Sequence, residues 1–200
     1  MTAGLVLAAG ESSRMGRDKA LLFYRGRTFL ETVIATLHEA GIHRVAVVLG
    51  HHAQAIQQAV NLAGVEVVTN CDYLCGQTSS LQAGLAALVG SPAEAETLDA
   101  IVLCLVDHPA FAPATVSALL DAFVRSQAPV IIPTYGGRRG HPVLIARSLF
   151  EPLRALRPNQ GANTAIRAWR HQTELLEVAD PGVLVDVDDP EAYRQLSQLD

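Results

Sequence analysis

Short, unbroken apolar runs rich in Val, Leu and Ile recur at residues 3–8, 44–49, 65–69, 100–106 and 129–132. Runs of that length, apolar on both faces, predict buried strands. Between them, residues 28–40, 53–62, 78–89 and 113–126 repeat apolar positions at spacings of three and four, the stripe of a helix packed on one side. Strand and helix therefore alternate. Such an alternation predicts right-handed crossovers over a mostly parallel sheet, an α/β fold of the three-layer α/β/α sandwich class.

Beyond residue 132 the regularity weakens. TYGGRRG reads as a turn-rich loop, HPVLIA as a short strand, and residues 148–157 and 162–169 as two helices, with Phe150 and Trp169 expected in the core. The tail LLEVADPGVLVDVDDPEAYRQL predicts a strand, a Pro-Gly turn, a second strand and a helix opening at Pro190. The chain shows no internal repeat, low-complexity tract or linker, and 200 residues suit a single domain spanning 1–200. No apolar run is long enough to cross a bilayer, and the apolar start, lacking a preceding basic residue, reads as a first strand rather than a signal peptide.

Acidic residues outnumber Lys plus Arg by 20 to 15, which removes nucleic acid and anionic membrane from the expected partners, since no global basic field attracts them. An anion must be held locally. Cysteine usage points to a reducing cytoplasm: of Cys71, Cys75 and Cys104, the last sits inside AIVLCLV as a small hydrophobe. The first two have no second Cys/His pair at zinc-ligand spacing, so no zinc is expected.

In an open parallel sheet, ligands sit beyond the carboxyl ends of the strands, and the first strand-to-helix loop is the usual cradle for phosphates. Here that loop is LAAGESSRMGRDK, residues 7–19. Ala8, Ala9 and Gly10 are small enough for backbone N–H groups to approach an anion, Ser12 and Ser13 add donors, and Arg14 and Lys19 add charge. It is not a P-loop, because Lys19 lies three residues after Gly16 and is followed by Ala20, and there is no G-x-G-x-x-G. Read without further context, it could equally be a polar loop whose Arg14, Arg17 and Lys19 are simply solvated. Asp107 follows the fourth strand at the same edge, placed to hold Mg²⁺ or to cap a turn beside Pro109. His51 and His52 have no Cys or carboxylate at ligand spacing and are expected to be exposed.

The motif L-A-A-G-x-S-x-R-M-G-x-x-K, matched from Leu7 through Lys19, resembles that of the nucleotidyltransferases that couple an NTP to a phosphorylated acceptor, above all the molybdenum cofactor cytidylyltransferases. NCDYLCGQTSSLQAGL, VDHP, GGRRGHPVLIARSLFEPLRAL and VDVDDPEAY resemble further segments of that family, in order. The resemblance implies a nucleotide-diphospho-sugar transferase-like fold, with residues up to about 110 binding nucleotide and the remainder the acceptor. It implies transfer of a nucleoside monophosphate from an NTP, with CTP favoured, to the terminal phosphate of a molybdopterin-type cofactor, with Mg²⁺ as the cation and a recipient molybdoenzyme as a further partner. CTP is favoured by GQTSSL and Ala9, where the guanylyl branch carries other residues.

By the same resemblance Arg14, Lys19 and Asp107 are catalytic. Leu7, Ala8, Ala9, Gly10, Ser12, Ser13, Ser79 and Ser80 join Arg14 and Lys19 around the nucleotide, Arg139 and His141 meet the acceptor, and Asp107 and Asp186 hold the metal. Asp186 is preferred to Asp188 and Asp189, the last suited to capping the final helix. Ser79 and Ser80 could also act only as helix caps. Two departures stand out: His108 in place of Gln or Met, and RPNQGANTAI, with Asn159 and Asn163 where the family carries an acid and an arginine. The alternatives are another donor or acceptor for the same transfer, or a carrier that binds the cofactor and transfers nothing.

Overall fold

Alternate side chains of the first strand, β1 (Thr2–Ala8), pack into two separate hydrophobic clusters: Ala3, Leu5 and Leu7 into one, Val6 and Ala8 into the other. Because successive strand residues point to opposite faces, the sheet is covered on both sides, which makes the three layers that the sequence predicts. The computed structural model describes residues 1–90, 97–157 and 160–197.

The remaining strands are β2 (Phe23–Tyr24), β3 (Arg27–Thr28), β4 (Val45–Leu49), β5 (Glu66–Thr69), β6 (Ala100–Leu105), β7 (Val130–Tyr135), β8 (Arg138–Arg139), β9 (Val143–Ala146) and β10 (Thr173–Glu177). The α-helices are α1 (Phe29–Glu39), α2 (Ala53–Ala59), α3 (Gln77–Val89), α4 (Pro113–Ser126), α5 (Phe150–Arg154), α6 (Ala162–Ala168) and α7 (Pro190–Ser197). The main sheet runs β10–β7–β9–β6–β1–β4–β5, with β8 paired to β7. Strands β4, β1 and β6 are parallel neighbours, whereas β9 runs antiparallel between β6 and β7. That reversal brings the start of β9, and His141 before it, to the edge where the parallel strands end.

The first half follows its local pattern. Thr28 closes a capping box with Glu31 at the start of α1, and α3 lies close on β1 because Gly84 has no side chain: a Cβ there would run into Leu5 and come within 2.9 Å of Val48 Cγ2. Phe150 is buried, and Trp169 is half-buried at the border of the same cluster. Among the described residues no helix is long and apolar enough to cross a membrane.

The second half corrects several expectations. TYGGRRG is a hairpin rather than a loop: β7 continues through Tyr135, Gly136 and Gly137 turn at φ 57° and 75°, and β8 returns. Two successive positive-φ residues are the turn that matches strand twist. The helix predicted over 148–157 shortens to α5 after a 3₁₀ turn at Arg147–Leu149. The second tail strand does not form; Pro181–Leu184 is a 3₁₀ turn followed by extended chain. Its backbone groups bond to loops instead of a ladder, Val183 O accepting from His141 N at 2.9 Å and Val187 N donating to Asp107 O at 2.9 Å. Val183 and Val187 are buried, so the apolar alternation that suggests a strand is spent on core packing.

Candidate functional site

Beyond the carboxyl end of β1, where His51 N still donates to Ala9 O at 3.2 Å, the segment turns upon itself. Ser12, at φ 51°, accepts from Met15 N and Gly16 N through its carbonyl, and its Oγ accepts from Lys19 N at 3.1 Å. Lys19 is thereby turned inward. Its Nζ donates to Asp188 Oδ1 at 2.5 Å and Asp107 Oδ2 at 3.1 Å, with only 11 % of its side chain exposed. Arg14 Nη2 lies 2.8 Å from Asp188 Oδ2, but its side chain is 72 % exposed, so that contact adds little by itself.

These groups border a cleft of about 340 Å³ that takes in Leu7, Ala8, Ala9, Gly10, Ser12, Ser13, Arg14, Lys19 and Ser80 of the expected set, together with Asp107 and Asp188. Tyr73, Gln77 and Ile56 also line it. Tyr73 and Gln77 fall inside the family-like segment NCDYLCGQTSSLQAGL without being singled out there, and Ile56 carries no signal because an apolar helix residue is not distinctive. On one wall Gly50 presses against the loop: a Cβ there would meet Ala9 O at 2.7 Å and Tyr73 Cβ at 2.6 Å.

Asn70 Nδ2 donates to both serines, to Ser79 Oγ at 2.9 Å and Ser80 Oγ at 3.0 Å; Ser80 lines the cleft, whereas Ser79 Oγ donates to the carbonyls of Asp72 and Gly76. Neither caps α3; Gly76 holds the cap position at φ 100°, a conformation that suits glycine. Asp189 caps α7, its Oδ1 accepting from Ala192 N at 2.9 Å.

At the far end of Asp107 a second cluster forms. Ligand atoms of Asp107, His108 and Asp186 lie within 4.8 Å of one another. Burial raises the Asp186 pKa; His108 opposes the shift, and the Asp107 and Asp188 carboxylates add to it. Asp188 is held low by its bond to Lys19. For Lys19, burial works to lower the pKa, but the two carboxylates outweigh it and leave it above the ordinary value. Asp186 and Asp188 thus divide the work: Asp188 pairs with the cations of the loop, and Asp186 faces Asp107 and His108. Two carboxylates and an imidazole are a donor set that fits a small divalent cation.

The expected acceptor residues are not in the cleft. Arg139 is exposed on β8, and His141 packs on His108 with ring centroids 4.7 Å apart. Burial, reinforced by charge on His108, lowers the His141 pKa to about 4, so at neutral pH it brings no positive charge toward a phosphate. Asn159 lies outside the described residues, as does the side chain of Asn163. Of the two histidines expected to be exposed, His52 is exposed and His51 is half-buried, and Asp18, remote in sequence, joins both in a group whose ligand atoms lie within 4.8 Å. His52 Nδ1 is 3.0 Å from Asp18 Oδ2.

Residues 4–175 match the MobA-like NTP transferase domain. The chain is 34% identical to nicotine blue oxidoreductase of Paenarthrobacter nicotinovorans, over 96% of this chain and 95% of the relative. It is 33% identical to the protein of Opitutus terrae named "Probable molybdenum cofactor guanylyltransferase", over 84% of this chain and 72% of the relative. The crystal structure of Rv0371c of Mycobacterium tuberculosis in complex with manganese superposes with a TM-score of 0.81 at 32% identity, covering 98% of each chain.

Proposed function

We propose that this chain, which belongs to the MobA-like NTP transferase family, moves a cytidylyl group from CTP to the terminal phosphate of a molybdopterin-type cofactor. Its membership makes it a nucleotidyltransferase; the donor base and the acceptor are the proposal. The observation that carries it is the seat of Lys19, fixed from the β1 loop by Ser12 and from the later chain by Asp107 and Asp188. A buried ammonium at the mouth of a cleft lined by small residues suits a triphosphate.

In the reaction a phosphate oxygen of the acceptor forms a bond to the α-phosphorus of the nucleotide, and the bond from that phosphorus to the bridging oxygen of the leaving pyrophosphate breaks. Charge grows on the leaving group. Lys19 and Arg14 neutralise it, and the N–H groups of residues 8–10 orient the phosphate chain. Asp107 and Asp186 would hold the Mg²⁺ or Mn²⁺, which supplies further charge neutralisation on phosphate oxygens. The manganese of the Mycobacterium tuberculosis relative supports a divalent cation here. The order of segments, with the β1 loop and α3 around the cleft and the later chain beside Asp107, supports a nucleotide-binding part up to about residue 110 and an acceptor side beyond it.

CTP is preferred on the resemblance carried by Ala9 and the GQTSSL segment; the guanylyl name of the Opitutus terrae relative makes GTP the second reading. A hydride transfer, as the name of the Paenarthrobacter relative would suggest, has less support, because no G-x-G-x-x-G opens a helix in this chain. The test is pyrophosphate release from CTP, GTP and ATP with Mg²⁺ or Mn²⁺ and molybdenum cofactor, run beside consumption of NADPH. Release with CTP that disappears in Asp107→Ala is the expected result. Cofactor binding with no release from any nucleotide would instead identify a carrier.

A further inference from the structure

We propose that His108 is itself a ligand of the divalent cation, and that it makes the site select a first-row transition metal such as Mn²⁺ over Mg²⁺. The inference rests on the cation reading above and deepens it by naming a third donor and the class of metal.

Asp107 and His108 leave β6 through a tight turn in which His108 N donates to Leu105 O at 3.1 Å. The turn puts consecutive side chains on one cluster. His108 Nε2 stands 4.0 Å from Asp186 Oδ1, too far for a hydrogen bond. It is, however, a separation that two cation–donor bonds of about 2.1 Å can span. The ring is fixed where it is, with 12 % of the side chain exposed and the His141 ring packed on it. Among the described residues no hydrogen-bond partner meets Nδ1 of either histidine, so protein hydrogen bonds do not account for the orientation that turns Nε2 toward the carboxylates.

The chemistry of the donors sets the metal. Mg²⁺ is a hard ion that favours oxygen donors and keeps several waters, whereas an imidazole nitrogen suits first-row transition ions, of which Mn²⁺ is the most weakly held. An Asp, Asp, His set therefore shifts selectivity away from Mg²⁺. The competing explanation for the same geometry is an ion pair between a protonated His108 and Asp186, which puts no nitrogen on a metal.

The experiment titrates the full chain with Mn²⁺ alone, following bound ion by electron paramagnetic resonance and measuring ¹⁴N coupling to it by pulsed methods. Native protein should show imidazole coupling that persists in His141→Gln and is lost in His108→Gln. The same His108→Gln change should weaken Mn²⁺ binding by about tenfold or more, since losing even an outer partner of a ligand costs that much. In the native chain, needing no variant, Mg²⁺ should displace Mn²⁺ only in large excess. Mn²⁺ that binds in an Asp107-dependent way without nitrogen coupling, or coupling that survives His108→Gln, overturns the role of His108 and leaves the carboxylate site standing. A folded chain that binds no Mn²⁺ at all overturns the cation reading and this inference together.

Discussion

The loop after β1 and the stretch from Asp180 to Asp188 meet across one site, yet they are held there by opposite means. The first is shaped from within: Ser12 alone bonds Met15, Gly16 and Lys19, and β1 lies between two parallel neighbours. The second is shaped from outside. Asp180 receives Ala112 N at 2.8 Å and Thr115 Oγ1 at 2.6 Å, Val187 N reaches Asp107 O, and Gly182 lies so near Ala110 O that a side chain could not fit. A segment built by local bonds announces itself in its residue order, whereas one built by distant bonds does not.

Lys19 is where the two meet, so the largest effect is expected there. Lys19→Met keeps the buried aliphatic stem and removes only the charge. Pyrophosphate release should fall by roughly 10²–10³, the scale for losing one donor aimed at developing charge. Stability should change far less, because Asp107 and Asp188 are partly exposed, at 26 % and 36 % of their side chains, and water can solvate them. A melting curve beside the rate assay separates the two. A variant that loses its fold as steeply as its activity would make Lys19 a structural fastener.

The same contrast divides what is legible in the residue order from what is not. The five apolar runs and the alternation with helices depend on periodicity, and each falls where expected; the small residues from Ala8 onward border the cleft at the end of β1. The hairpin at Gly136–Gly137 and the 3₁₀ turn at Pro181–Leu184 depart from the sequence pattern for different reasons. The glycines allow a hairpin or an open loop alike, and pairing of Thr134 with Arg139 decides. Val183, Val185 and Val187 alternate as a strand would, but Gly140 and Gly182 let that stretch settle against loops. Asp188 stands out in the sequence as one of three late carboxylates; its bond to Lys19, 169 residues away, does not. His141 shows the limit most plainly: the resemblance places it toward the acceptor, but nothing in its neighbourhood along the chain announces the burial that lowers its pKa.

His141 gives the next effect, and it is one of pH. Its pKa falls from an ordinary 6.5 to about 4 in the folded chain, so the unfolded chain takes up a proton first as pH drops. The stability that the neutral ring allows is therefore present above about pH 6.5 and lost as pH falls toward 4, by roughly 3 kcal/mol in all. Denaturant midpoints across that window should slope in the native chain and lose this component in His141→Gln. An unchanged slope would mean that the ring is solvated and the antiparallel placement of β9 does not bury it.

Asp180 tests the outside-held segment directly and should give the smallest of these changes. Its carboxylate accepts from Ala112 N and Thr115 Oγ1 at the start of α4 and from Gly182 N at 2.9 Å in its own turn. Asp180→Ala leaves those donors to water or to nothing, at a cost of about 2 kcal/mol, readable as a lower urea midpoint. Asp186 and Asp188 follow six and eight residues later. If distant bonds are what hold them at the site, turnover in the folded variant should fall with the loss of Asp180 although that residue lies outside the cleft around Lys19. Stability lost with turnover intact would show instead that Val183 and Val187, buried in the core, fix the segment without the carboxylate, and that packing rather than hydrogen bonding carries Asp188 to Lys19.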